Sequence, residues 1–100
     1  MMTFADDVYQ LTQQVPKGKV TTYKAIAEAL GTKAYRAVGQ VLHVNPYAPK
    51  VPCHRVVAFD GSLHGFASGL QKKALMLRQE GIDVKNGKVD LDRYLFERFV

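Results

Sequence analysis

Only one of the 100 residues is a cysteine, and tryptophan is absent. A lone cysteine cannot form a disulfide within the chain, which suits a reducing compartment. No apolar run approaches the roughly 18 residues that a membrane span needs, and the acidic start MMTFADDVYQ lacks the basic and apolar segments of a secretory signal. We therefore expect a cytosolic protein with no membrane partner.

Proline and glycine are also few, at 4 and 8 residues, and no low-complexity tract interrupts the chain. This composition argues against disorder, and the length predicts one domain over residues 1–100. Positive charge is in excess, with a formal net charge of +5. A basic surface favours a polyanionic partner such as nucleic acid, but an ordinary solvated surface explains the charge equally well.

The first half of the chain has the spacing of amphipathic helices. An apolar stripe ahead of Pro16 predicts a first helix. Thr22 and Gly31 are typical of the cap and stop of a second helix, and Thr32 and Asn45 of those of a third. Two short helices around a glycine-containing turn indicate a helix-turn-helix, although two ordinary packed helices give the same pattern. The inward residues predicted for this pair are Ile26, Ala27, Leu30, Ala34, Val38, Val41 and Leu42.

The second half combines short strands with one helix. The segment RVVAF after the cysteine predicts a strand that runs into a turn. SGLQKKALMLRQEG predicts a helix with Ser68 as its cap, and Asn86 followed by Gly87 is a strong hairpin signal. The residues predicted to face inward on this helix are Leu70, Ala74 and Leu77. The fold class is therefore α+β, mainly helical with short strands.

The lone thiol, Cys53, stands in the frame VPCHRVV. A free cysteine is most often a small buried hydrophobe, whereas a reactive one needs a base or a positive field that favours the thiolate. His54 is adjacent, but it reaches the thiol only if the backbone turns there or a water bridges them, because neighbours in a strand face opposite ways. Glu80 is a candidate acid for orienting His54, although a solvated helix-end carboxylate is the simpler interpretation. Such a set would also suit a thiol hydrolase.

Several motifs, in order, resemble one family. VPCHRVV, preceded by TTYKAIAEALG and AYRAVGQVLHVNP and followed by GLQKKALMLRQEG, is similar to the O6-alkylguanine-DNA alkyltransferases, also called methylated-DNA–protein-cysteine methyltransferases. The match covers roughly residues 4–82. It implies the winged-helix-like C-terminal catalytic domain of that family alone, without a cofactor. The implied partner is double-stranded DNA containing O6-alkylguanine, bound through its minor groove by a monomer.

The resemblance implies a catalytic role for four residues. Cys53 would take the alkyl group irreversibly, in a single turnover, after His54 deprotonates it through a water and Glu80 orients His54. Tyr23 would help to rotate the nucleotide and would donate a hydrogen bond to the departing guanine. Extrusion is required because O6 inside a duplex cannot reach a buried thiol, and the unstacking costs a few kcal/mol.

Other residues would bind DNA or shape the site. Arg36 would enter the base stack in place of the guanine, Asn45 would act as a hinge, and Arg55 would tie the active-site segment in place. Small residues on the third helix would let it approach the groove. The DNA-binding residues implied are Tyr23, Lys24, Thr32, Ala34, Tyr35, Arg36, Ala37 and Gly39, and those of the substrate pocket are Pro52, Val56, Ala67 and Ser68.

The sequence departs from the family's pattern in several places. Ala67 stands where many members have a serine thought to bond the O6-alkylguanine, and Ser68 where they often have glycine, which leaves the range of alkyl groups open. The family's usual N-terminal domain, which carries a structural zinc in some members, has no counterpart here, so we expect no metal site.

Two other functions compete with alkyl transfer. The alkyltransferase-like proteins have the same fold and flip the lesion, but pass it to excision repair. They characteristically replace the cysteine, commonly with tryptophan or alanine, so Cys53 favours transfer. A helix-turn-helix regulator with an incidental thiol would leave Pro52, His54 and Glu80 without a role.

Overall fold

The computed structural model describes residues 2–63 and 69–100. In chain order the elements are α1 (Phe4–Gln13), β1 (Thr21–Thr22), α2 (Tyr23–Ala29), α3 (Tyr35–His43), a 3₁₀ turn (Cys53–Arg55), β2 (Val56–Val57), α4 (Leu70–Gln79) and α5 (Leu91–Tyr94). The predicted α+β class, mainly helical with short strands, is confirmed.

Local capping chemistry sets the start of α2 but not that of α3. Thr22 accepts a hydrogen bond from the Ala25 N–H at 3.0 Å, as predicted for the cap of α2. Thr32 was expected to cap the next helix, and this prediction is wrong. Its hydroxyl oxygen accepts from the N–H of Ala34, only two residues on, at 3.2 Å. This local turn delays the helix until Tyr35 and leaves Ala34 exposed, not on the inward face.

The sheet is a parallel pair of two-residue strands that pairs Thr21 with Val56 and Thr22 with Val57. The predicted strand RVVAF is therefore longer than the observed one, because Arg55 still belongs to the 3₁₀ turn. The pairing joins the start of α2 to the segment that follows Cys53. Val20 extends it with a parallel bridge to Leu95.

Among the residues that the structure describes, the core has two clusters, and β2 lies between them. Val56 packs into the first cluster and Val57 into the second, because successive strand residues point to opposite faces. The first cluster holds Val8, Leu11, Ile26, Ala27, Val38, Leu42, Val51 and Val56. The second holds Val20, Val57, Leu63, Leu77, Ile82, Val84, Val89 and Tyr94. Any displacement of β2 would therefore disturb both halves of the core.

The C-terminal part confirms the hairpin and corrects the face of α4. Two reciprocal backbone hydrogen bonds of 3.0 Å join Lys85 and Lys88 around the Asn86–Gly87 turn. On α4, Leu70 was expected to face inward but is half exposed, because the helix only begins there. Lys73 is fully buried in its place. Within the described part of the chain, no helix is long and apolar enough to cross a membrane.

Candidate active site

The backbone turns at Cys53 instead of continuing as a strand. Pro52 is buried, and its carbonyl accepts the N–H of Arg55 at 2.9 Å, which closes the 3₁₀ turn. The N–H of Cys53 donates to the Val51 carbonyl at 2.8 Å. The thiol is half-buried against the first core cluster. The turn supplies the change of direction that Cys53 and His54 need to serve one site.

His54 is buried and bonded to Glu80. Its Nε2 lies 3.1 Å from Oε2 of Glu80. An ionised carboxylate only accepts hydrogen bonds, so Nε2 carries the proton and Nδ1 keeps the lone pair. Burial lowers the pKa of His54 and outweighs the opposing influence of Glu80. The imidazole is therefore mostly neutral near neutral pH, which a proton acceptor requires.

Arg55 fixes the other side of Glu80. Its Nε donates to Oε1 at 2.9 Å and its Nη2 to Oε2 at 2.6 Å, a bidentate pair. Burial alone would raise the pKa of Glu80, but the hydrogen bonds from Arg55 and His54 lower it overall. The Nη1 of Arg55 also donates to the carbonyl of Val15, at 2.9 Å. Arg55 thus ties the turn to the segments that follow α1 and α4.

Asn45 links the end of α3 to the segment that enters the turn. Its Nδ2 donates to the Val51 carbonyl at 2.9 Å, and its Oδ1 accepts the N–H of Tyr47 at 2.9 Å. The bond to Val51 spans the loop that leads to Pro52, and the bond from Tyr47 fixes the first turn of that loop. The hinge role implied by the resemblance stays a prediction, but these contacts are the ones that would hold such a loop.

Tyr23, the first residue of α2, packs against the first core cluster, as Cys53 does. Burial, with a smaller contribution from charge on Cys53, raises the pKa of Tyr23 to about 12. The phenol therefore keeps its proton at neutral pH and can donate it. A Cβ at Gly39 would lie 3.8 Å from the Tyr23 ring, an ordinary van der Waals contact, so packing against this tyrosine does not require glycine.

Lys73 is a site residue that sequence reasoning missed. Its ammonium nitrogen donates to the Val56 carbonyl at 2.5 Å and lies 5.9 Å from the centre of the Tyr23 ring. Burial lowers the pKa of Lys73 to about 8, against the opposing influence of charge on Cys53. Its position one helical turn before Leu77, which was predicted to face inward, is the signal that could have revealed it.

Four of the eight predicted DNA-binding residues line an open groove along α3, the α3 groove, and the other four do not. It has a volume of about 600 Å³ and is bordered by Tyr23, Tyr35, Arg36, Gly39, Gln40, His43 and Val44. Tyr35 and Arg36 are exposed, and so are Lys24 and Ala34, whereas Thr32 and Ala37 are half-buried. Gln40, His43 and Val44 were not predicted. Their helical spacing from Arg36 places them on the same face of α3.

The predicted substrate pocket is only partly described. Pro52 and Val56 are buried beside the turn. The Val56 N–H donates to the carbonyl of Cys53. Ala67 and Ser68 lie outside the described residues, so their predicted roles in the pocket stay predictions. Ser68 was also expected to cap α4, and this prediction is wrong, because the cap position of that helix is Gly69. In residues 2–63 and 69–100, no group of three histidine, cysteine or carboxylate side chains could hold a metal ion.

The sequence matches a known family over most of its length. The model of the 6-O-methylguanine DNA methyltransferase, DNA binding domain, matches residues 3–82. The chain belongs to this family. Within it, the chain is 45% identical over 93 residues to a bifunctional methyltransferase/endonuclease of Picrophilus torridus, covering 92% of this chain and 31% of that protein.

Two further relatives of this alkyltransferase-family chain are informative. A methylated-DNA–protein-cysteine methyltransferase of Methanosarcina barkeri is 45% identical over 78 residues, which are 77% of this chain and 49% of that protein. This chain thus spans about half or less of the curated relatives it matches. The structure of S. pombe Atl1 in complex with damaged DNA containing O6-carboxymethylguanine is 31% identical, with a TM-score of 0.83 over 96% of this chain and 98% of that chain.

Proposed function

We propose that the protein repairs alkylated DNA by moving the alkyl group from O6 of guanine to Cys53, once per molecule. The observation that carries this proposal is the arrangement around the thiol. Cys53 opens a turn whose next two residues, His54 and Arg55, both bond Glu80. The relatives named as methylated-DNA–protein-cysteine methyltransferases support the same activity.

The chemistry follows from these groups. The neutral His54 takes the thiol proton through a water, and the imidazolium that forms is stabilised by Glu80, which stays ionised. The thiolate sulfur attacks the alkyl carbon, the S–C bond forms, and the C–O6 bond breaks with its electron pair going to the guanine. Tyr23 donates a hydrogen bond to the departing base. The thioether has no route back to a thiol, so each molecule reacts once.

The proposed partner is double-stranded DNA containing O6-alkylguanine. The α3 groove would follow the minor groove, and the exposed Arg36 would take the place of the extruded guanine in the stack. We propose that one monomer in the cytosol, folded as a single domain over residues 1–100, does this without a cofactor. The neighbouring structures solved with DNA support a DNA partner.

A second candidate is lesion binding without transfer. The observation that favours it is the similarity to Atl1 over nearly the whole length of both chains. The Atl1 structure is a complex with damaged DNA that still contains O6-carboxymethylguanine. The presence of Cys53 favours transfer, since a protein that only binds the lesion needs no nucleophile.

Mass spectrometry distinguishes the two candidates. The protein is incubated with a duplex containing one O6-methylguanine, and the Cys53 peptide is expected to gain the mass of one methyl group. Cys53→Ala should abolish the gain and keep lesion binding, and a duplex with unmodified guanine is the matched control. Tight lesion binding by the wild-type protein with no mass gain would overturn transfer and support the second candidate.

A further inference from the structure

A second cavity, the Phe59 pocket, adjoins the α3 groove. It has a volume of about 470 Å³, and its walls include Tyr23, Lys24, Tyr35, Phe59 and Asp60. Phe59 is 76% exposed, and Tyr35 is 50% exposed. Two largely exposed aromatic rings on one small pocket leave apolar surface in water, which marks a contact site more often than a packing accident.

The position of the Phe59 pocket ties it to the proposed lesion site. Tyr23 and Tyr35 border both this pocket and the α3 groove. Phe59 follows β2 by two residues, on the segment that continues from Cys53. As far as the described residues show, Cys53 itself does not line the pocket, so the guanine that reacts is not its occupant.

The two charged side chains on the pocket wall each have an oppositely charged neighbour. Lys24 pairs with Glu28 at 3.8 Å, and Asp60 pairs with Lys88 at 3.6 Å. Asp60 also accepts the N–H of Ser62 at 3.0 Å. Both pairs lie at the surface and are therefore weak, so the feature of the pocket that would attract a ligand is its two exposed aromatic rings. Aromatic rings of this kind bind nucleobases by stacking, with little preference for sequence.

We propose that Phe59 and Tyr35 hold the base next to the lesion on the same strand. The inference rests on the proposed function and deepens it by adding a second DNA subsite. Bringing a guanine to Cys53 removes it from the stack, and Arg36 in its place would offer the neighbouring base a guanidinium instead of a full base to stack on. A ring beside the exit point restores a stacking partner for that neighbour and so lowers the free energy of the extruded state.

The test compares Phe59→Ala with the wild-type protein on three kinds of substrate. These are a duplex with O6-methylguanine between ordinary bases, the same duplex with an abasic residue on one side of the lesion or the other, and the nucleoside O6-methyl-2′-deoxyguanosine. The rate of methyl transfer to Cys53 is measured. Leu75→Ala is the control variant, because Leu75 is 55% exposed on α4, away from the pocket.

Phe59→Ala should slow transfer from the intact duplex at least about fivefold, the smaller end of what one lost base–aromatic contact costs. It should leave the nucleoside rate unchanged, and the difference should disappear with the abasic residue on one of the two sides. Leu75→Ala should match the wild type throughout. An unchanged duplex rate, an equal loss on the nucleoside, or the same loss with both abasic duplexes would overturn the proposal.

Binding in the Cys53→Ala background separates this inference from the transfer chemistry. The affinity for the lesion duplex should fall at least about fivefold with Phe59→Ala added, and the loss should again disappear with one abasic neighbour. This result would support the subsite even if the wild-type protein transferred no methyl group. Unchanged affinity would overturn the subsite whatever the outcome of the transfer assay.

Discussion

Lys73→Met should change how the stability of the protein depends on pH. Lys73 is fully buried, and burial lowers its pKa from 10.5 to about 8. Between these values the unfolded chain holds a proton that the folded chain has released. The free energy of unfolding of the wild-type protein should therefore rise with pH across this interval, and the full cost of burying the ammonium is present below it.

The magnitude follows from the shift. A pKa shift of one unit corresponds to about 1.4 kcal/mol. The pH range of the experiment does not include the whole interval between the folded and unfolded pKa values of Lys73, so only part of this free energy is observed. From about pH 7.5 to about pH 10, Lys73 should add about 2 kcal/mol to the free energy of unfolding. Tyr23 contributes with the opposite sign above pH 10, because its folded pKa is raised to about 12. The range therefore ends at about pH 10.

Urea unfolding followed by circular dichroism measures the effect. The difference in unfolding free energy between wild type and Lys73→Met should change by about 2 kcal/mol across the range, in favour of the wild type as pH rises. Lys72→Met is the matched control, because its side chain is exposed, and it should leave the pH profile unaltered. Parallel profiles for wild type and Lys73→Met would refute the reasoning, since Lys73 would then titrate alike in the folded and unfolded chains.

Two further predictions concern Glu80 and Gly61. Glu80→Gln should cost about 2 kcal/mol of stability at neutral pH by leaving Arg55 without its charge partner. The loss should shrink as the pH falls below 4.5 and then through the folded pKa of Glu80, which is lowered. The control is Glu28→Gln, at an exposed ion pair, which should cost under about 0.5 kcal/mol. Equal losses of stability in the two variants would count against the prediction. Gly61→Ala should cost more than about 3 kcal/mol, because φ is +89° and its Cβ would lie 2.2 Å from the Val89 carbonyl oxygen. Gly87→Ala is the control, because Gly87 has a φ of +71° but open space around a Cβ, and it should cost about 1 kcal/mol. A thermal melt in which Gly87→Ala loses more stability than Gly61→Ala would contradict the prediction.

Structural features that depend on a few adjacent residues could be predicted from the sequence. The cap at Thr22 and the Asn86–Gly87 turn each depend on a few adjacent residues, and both are observed. Thr32 has the same chemistry as Thr22, but its hydroxyl bonds two residues ahead instead of three. The choice between these bonds depends on how α3 packs, which a propensity cannot report.

The site was harder to predict than the fold. From the residues alone, Glu80 was a candidate acid, and a solvated carboxylate at a helix end was the simpler interpretation. The family resemblance implied that Glu80 orients His54, and the two side chains are hydrogen-bonded. Lys73 was missed because lysine is almost never fully buried, so a helical pattern is normally read with lysine on the solvent face. Its burial depends on Val56 and Tyr23, which lie 17 and 50 residues earlier in the chain.

The contacts of Arg55 join segments that lie far apart in the sequence, so no local segment of the chain can form the site. Its guanidinium reaches back 40 residues to Val15 and forward 25 residues to Glu80. No short fragment of the chain contains the three parts together, and closing both loops costs chain entropy that only the assembled core can offset. The proposed reactivity of Cys53 should therefore depend on contacts that extend from Val15 to Glu80.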